Sequence, residues 1–148
     1  MGLPVLTLDT NILVSAFRSS RGASFRLMEM LAEEKFEIGV TTPLILEYES
    51  VCKRLIGSTH VTSDDVDHLI DYLCQIGRRS IVYYRVRPSV NDPDDEMVLE
   101  AAIASGSNWI VTYNLRDLLV GASRYGIEVI TPADAIHKLG VRYEVDSN

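Results

Sequence analysis

Five short apolar runs recur along the chain, separated by segments whose apolar residues repeat at helical spacing. The runs are Pro4–Leu8 (PVLTL), Phe36–Val40, Ile81–Tyr84, Trp109–Thr112 (WIVT) and Ile127–Ile130. Runs of this length suit strands buried on both faces, and intervening helical segments supply the crossovers that parallel strands need. Ser24–Glu34 is such a segment, with Phe25, Leu27, Met28 and Leu31 at helical positions. The expected fold class is therefore α/β, a three-layer sandwich with a central parallel sheet of about five strands flanked by helices. In open sheets of this kind ligands sit beyond the carboxyl ends of the strands, near a switch in strand order. Chemistry-bearing residues should then follow strands and open helices.

The remaining helices carry recognisable starts and stops. Thr42-Pro43 opens one that runs to about Ile56, with Gly57 as its stop, the threonine as cap and the proline first in the helix. Thr62 or Ser63 caps another through Ile76-Gly77, and Asp92-Pro93 opens one ending near Ser105-Gly106. Leu115–Ala122 and Pro132–Leu139 complete the set. At 148 residues, with no repeat or linker, the chain reads as a single domain over 1–148 with its core at about 4–139 and a short peripheral tail, Val141–Asn148. A chain this long buries roughly two thirds of its unfolded surface and needs no metal or disulfide staple.

Charge narrows the function. Fourteen Lys and Arg against 21 Asp and Glu give a formal charge of −7, which excludes a protein that coats nucleic acid through a broad basic face. A nuclease stays open, since its acids gather in one metal site while a few arginines line the rim. The histidines His60, His68 and His137 lack metal-ligand spacing, so a zinc site is not expected. Cys52 and Cys74 read as two buried free thiols, fitting a reducing, cytoplasmic setting. No apolar run approaches a membrane span, and Met1-Gly2-Leu3-Pro4 has no basic leader region.

Four acids stand where the strand-end rule directs attention. Asp9 directly follows the first strand, and Asp117 lies in the first helical turn after Trp109–Thr112. Asp95 opens the helix that begins at Asp92-Pro93 and shares a face with Val98, Leu99 and Ala102, while Glu96 and Glu100 fall on the opposite, solvated side. Each has a structural alternative: Asp95 as the third residue of a capping box begun by Asp92, Asp117 likewise behind Asn114, and Asp9 as an Asx turn before a helix capped by Asn11. Glu47 and Glu49 flank the apolar stripe of their helix on opposite edges, and periodicity does not choose between them. Taken together the acids say more. Bringing two carboxylates within about 5 Å costs roughly 3 kcal/mol at an effective dielectric of 20, so a cation is needed to offset the repulsion. An oxygen-only donor set favours Mg²⁺ or Mn²⁺, ions that activate water for phosphodiester hydrolysis.

The segments Leu8-Asp9-Thr10-Asn11-Ile12-Leu13, LILEYESV around Glu47, Asp92-Pro93-Asp94-Asp95-Glu96 and Thr112-Tyr113-Asn114-Leu115-Arg116-Asp117-Leu118 together resemble the PIN domain, in particular its VapC-like toxin branch. The resemblance spans about residues 4–139. It implies five parallel strands flanked by helices, a Mg²⁺- or Mn²⁺-dependent ribonuclease acting on single-stranded RNA, frequent homodimers, and an antitoxin protein as inhibitory partner. By position it implies Asp9, Glu47, Asp95 and Asp117 as catalytic, metal-binding acids, resolving the tie with Glu49. Asn114 stands where some relatives carry an acid and is a substitute for Asp117, while Asn11 and Thr112 support the site. Arg18, Arg21 and Arg116, just beyond the motif turns, are candidates for phosphate contacts, against the plainer reading of solvated arginines.

Other acid-bearing folds fit less well. A haloacid-dehalogenase-type phosphotransferase needs a second aspartate where Asn11 stands, and a two-component receiver needs an acidic pair where Asp9-Thr10 stands. No phosphate-binding glycine loop is present. The principal alternative is a catalytically silent PIN-fold module that binds RNA or protein without cleaving.

Overall fold

The computed structural model describes residues 2–80 and 93–147. Five strands, β1 (Val5–Leu8), β2 (Glu37–Thr41), β3 (Arg78–Ser80), β4 (Trp109–Val111) and β5 (Glu128–Ile130), form one parallel sheet in the order β3-β2-β1-β4-β5. Among the described residues seven helices flank it: α1 (Thr10–Arg18), α2 (Ala23–Ala32), α3 (Thr42–Lys53), α4 (Ser63–Ile76), α5 (Pro93–Ser105), α6 (Leu115–Ser123) and α7 (Pro132–Ser147). The expected α/β sandwich is the observed one.

β1 is buried along its whole length, as a central strand covered on both faces must be. Leu6, Leu8, Ile38, Val40, Ile110 and Val111 carry the sheet's share of the core. Leu13, Leu27, Leu44, Leu73, Leu99 and Leu118 meet them from six different helices. α5 packs directly on β1 and β2, and its fully buried Ala101 and Ala102 let it come close. At the contact Gly39 leaves room for two serines that a Cβ would strike, Ser105 and Ser107. Their hydroxyls bond each other at 2.9 Å, and Ser107 continues to Thr7 at 2.8 Å. This chain of hydroxyls satisfies polar atoms that burial would otherwise penalise.

Of the two caps expected for α4, Thr62 is the one observed, and it forms a reciprocal capping box with Asp65. The ends of some elements differ from expectation. The cap of α3 is Thr41, whose side chain accepts from the Leu44 N–H, so Pro43 is the second helical residue and Thr42 the first. Ile81–Tyr84 lies outside the described residues; the third strand is seen at Arg78–Ser80, a polar edge segment where Arg78 meets Glu37 at 3.4 Å. Charged edges of this kind deter pairing with another chain. α7 continues to Ser147, beyond the end at Leu139 expected of the last helix. Cys52 is buried and Cys74 only partly so, both as free thiols.

The chain runs from β1 outward to β2 and β3, then returns to the far side of β1 for β4 and β5. The strand order therefore switches between β1 and β4. Their register pairs Leu8 with Val111, which brings the next residues, Asp9 and Thr112, side by side.

Candidate functional site

Asp9 leaves β1 and stands at the N-cap position of α1, yet its side chain makes no capping bond to that helix. Its main-chain N–H continues the ladder to the Val111 carbonyl at 2.9 Å. Its carboxylate instead accepts the Thr112 hydroxyl at 2.6 Å, a charge-assisted length. Only 8% of Asp9 is exposed and Thr112 is fully buried, so this bond is made largely out of water. Thr112 is held in turn, because its hydroxyl oxygen accepts the Asn114 N–H at 2.9 Å. Neither Asx-turn nor cap accounts for the Asp9 carboxylate, which sits at the switch in strand order and beside the positive end of α1.

Asn11 is the second residue of α1 rather than its cap. Its Oδ1 is buried and has no hydrogen-bond partner among the described residues. A buried acceptor of this kind calls for a donor or a cation from beyond the described residues.

Tyr48 completes the surroundings and was hidden in the sequence among the apolar positions of its helix. It is fully buried, and its hydroxyl donates to the Leu8 carbonyl, one residue before Asp9. Burial first, and then the negative charge of Asp9, hold its phenol well above the ordinary tyrosine range, so it remains a donor. The available signal was its polar tip within the stripe, since a buried Tyr O–H needs a partner.

The other acids differ in environment. Glu49 pairs with Lys53 at 3.7 Å, one turn along α3, which gives it an ordinary surface role. Glu47 is partly buried on the same helix, which packs against α1 and α5. Asp95 is partly buried in the first turn of α5, on the side of the buried Val98, Leu99 and Ala102. Glu96 and Glu100 are also partly buried rather than solvated. The cap proposed for Asp95, Asp92, lies outside the described residues. Asp117 is exposed in the first turn of α6, and Asn114 at that helix's N-cap makes no side-chain capping bond. Among the described residues, no three Asp, Glu, His or Cys side chains converge into a ready-made metal cluster.

Arg18 at the end of α1, Arg21 in the following connection and Arg116 in the first turn of α6 are all exposed. None of the three makes an ion pair among the described residues. Tyr113 follows Thr112, and its hydroxyl bonds Ser24 at 2.6 Å and Ser15 at 3.4 Å, joining the end of β4 to α2 and α1.

A family model described as PIN domain matches residues 5–116, well over half of the chain. The chain belongs to the PIN domain family. The match contains the strand-end Asp9, Glu47, Asp95 and Thr112, and ends one residue before Asp117. PIN domains are generally nucleases that use divalent metals. A solved structure of VapBC2 from Rickettsia felis, bound to a DNA fragment from its promoter, has a chain similar to this PIN domain. The TM-score is 0.57 at 14% sequence identity, covering 86% of this chain and 98% of that one. At that identity the likeness bears on the fold. No curated protein matches this PIN domain.

Proposed function

We propose that this PIN domain is a Mg²⁺- or Mn²⁺-dependent endoribonuclease that hydrolyses single-stranded RNA, and that it acts as the toxin of a toxin–antitoxin pair. The observation that carries the reading is the Asp9 carboxylate. It lies at the strand switch, is held by Thr112 and left unused as a helix cap, two residues before Asn11, whose buried Oδ1 has no partner among the described residues.

The donors fit a hard cation. All are oxygens, and Mg²⁺ commonly takes one or two carboxylates and completes its shell with water and substrate phosphate. That no three-acid cluster is found among the described residues therefore does not conflict with such a site. Asp9 would hold the ion, with Asp95, Glu47 and Asp117 as the further acids and Asn11 as a neutral oxygen donor. When bound, the ion supplies Lewis acidity toward the phosphodiester and lowers the pKa of water at neutral pH. The chain's own residues supply position. Thr112 fixes one oxygen of Asp9, Tyr48 fixes the carbonyl before it, and Asn114 is tied back through its N–H. Arg18, Arg21 and Arg116 would meet phosphates on either side of the cut, as exposed cations commonly do.

The antitoxin partner follows from the VapC-like motifs and from the likeness to a VapBC2 chain. Exposed Leu119 and Val120 on α6 support self-association into a homodimer. The free thiols fit a reducing, cytoplasmic setting.

The test is cleavage of a labelled single-stranded RNA with Mn²⁺ or with chelator, comparing the wild type, Asp9→Asn and Asp95→Asn. Cleavage should need the ion and fall at least about 100-fold in either variant, with the circular dichroism spectrum kept. Mn²⁺ binding followed by electron paramagnetic resonance should weaken in parallel. RNA binding that ignores chelator and yields no product would leave the silent-module reading in its place.

A further inference from the structure

Tyr113 is 47% exposed, an unusual setting for an aromatic side chain whose hydroxyl is so firmly held. Its hydroxyl is bonded to Ser24, itself only 1% exposed, and also reaches Ser15. The tip of the ring is thus anchored in protein while part of the ring remains open to solvent. Its backbone is equally constrained. Thr112 before it bonds Asp9, and Asn114 after it bonds Thr112. An aromatic ring fixed at both ends has little rotamer freedom left to lose when a flat group packs on it.

The neighbourhood says which flat group. Ser15 lies three residues before Arg18 and Ser24 three residues after Arg21, so the two hydroxyl anchors bracket the connection that carries both free cations. Along the chain Tyr113 directly follows Thr112, the residue that holds Asp9. A partly open ring one residue from the candidate phosphodiester site, anchored on the two helices that flank Arg18 and Arg21, suits the alternation of base and phosphate along an unpaired nucleic-acid strand. Such strands are gripped by aromatic stacking together with cationic contacts to the backbone. From this juxtaposition we infer that Tyr113 is a base-stacking residue: the nucleobase next to the scissile phosphate lies on its ring, with the adjoining phosphate directed toward Arg18 and Arg21. The inference rests on the reading of the site as a nuclease of single-stranded RNA and adds the element that positions the strand.

A strut and a stacking platform respond differently to substitution. Tyr113→Phe keeps the ring and loses the bonds to Ser24 and Ser15, while Tyr113→Ala loses both. The assay is Mn²⁺-dependent cleavage of a 10-nucleotide RNA, with a matched strand carrying one abasic nucleotide beside the cleaved bond. Tyr113→Ala should raise KM about 5- to 100-fold with kcat little changed, and Tyr113→Phe and Ser24→Ala should stay within about threefold of wild type. On the abasic strand the wild type should lose its advantage over Tyr113→Ala. If Tyr113→Phe or Ser24→Ala is as damaging as Tyr113→Ala, the residue is a strut and the inference falls. It falls equally if Tyr113→Ala cuts the intact strand with an unchanged KM. If the wild type neither binds nor cuts either strand, the nuclease reading fails and takes the inference with it. Normal cleavage by both the wild type and Tyr113→Ala overturns the inference alone.

Discussion

Replacing Thr112 by valine keeps the shape of a fully buried side chain and deletes the hydroxyl that binds Asp9. A hydrogen bond to a charged group contributes about 1.5–3 kcal/mol. At 2.6 Å, and with Asp9 only 8% exposed, this bond belongs toward the upper part of that range. The Asn114 N–H also loses its acceptor, but Asn114 is exposed and water can replace the hydroxyl at little cost. For a chain of 148 residues about 1 kcal/mol corresponds to roughly 3 °C, so Thr112→Val should lower Tm by about 5–9 °C. A single variant also senses packing, so the bond itself is isolated by a cycle of Thr112→Val, Asp9→Ala and the double variant. Urea unfolding supplies the four stabilities by linear extrapolation. Chelator is present throughout, since a bound cation would add its own stabilisation. The expected coupling is about 1.5–3 kcal/mol. A value below about 0.5 kcal/mol, the range of independent sites, would refute the claim that Thr112 holds the Asp9 carboxylate.

Two further outcomes follow from the packing. Gly39→Ala would set a Cβ 2.6 Å from the Ser107 hydroxyl and closer still to Ser105, and overpacking of this kind costs about 1–3 kcal/mol or more. Ser105→Gly should recover part of the loss in a thermal melt, and no recovery would mean the clash lies elsewhere. Burial pushes the Cys52 thiol from 9.0 up to about 11. Between those values the unfolded chain releases a proton that the folded chain keeps, so stability falls as pH rises from about 9 to 11. Urea midpoints at pH 8 and 10.5 should fall further for the wild type than for Cys52→Ala, and equal falls would contradict this assignment.

How far the site could be read in advance depended on the distance between partners along the chain. Thr62 was legible as one of two cap candidates for α4 because the cap and the N–H it binds lie within one helical turn. The choice between Glu47 and Glu49 had a local clue in Lys53, four residues beyond Glu49, although apolar periodicity is blind to it. Asn114 looked like a side-chain cap for α6. Its N–H is instead bound by Thr112, two residues back, whose hydroxyl was needed in the sheet's far context. Tyr48 read as core and is core, but its hydroxyl reaches a carbonyl 40 residues away. No periodicity announces such a bond.

Alternating apolar runs and helical segments determine by themselves that this chain builds a layered sandwich around parallel strands. The physical reason is local: burial on one face or two sets the spacing of apolar residues within each element. Which strand lies beside which is decided only when the sheet assembles, and so is everything that depends on it. Asp9 and Thr112 are 103 residues apart, and they meet because β1 pairs with β4 in one register among several that the apolar pattern would tolerate. The Asn11 oxygen, without a partner among the described residues, and the anchored ring of Tyr113 are consequences of the same assembly, in which side chains from separate stretches compete for a small number of buried partners.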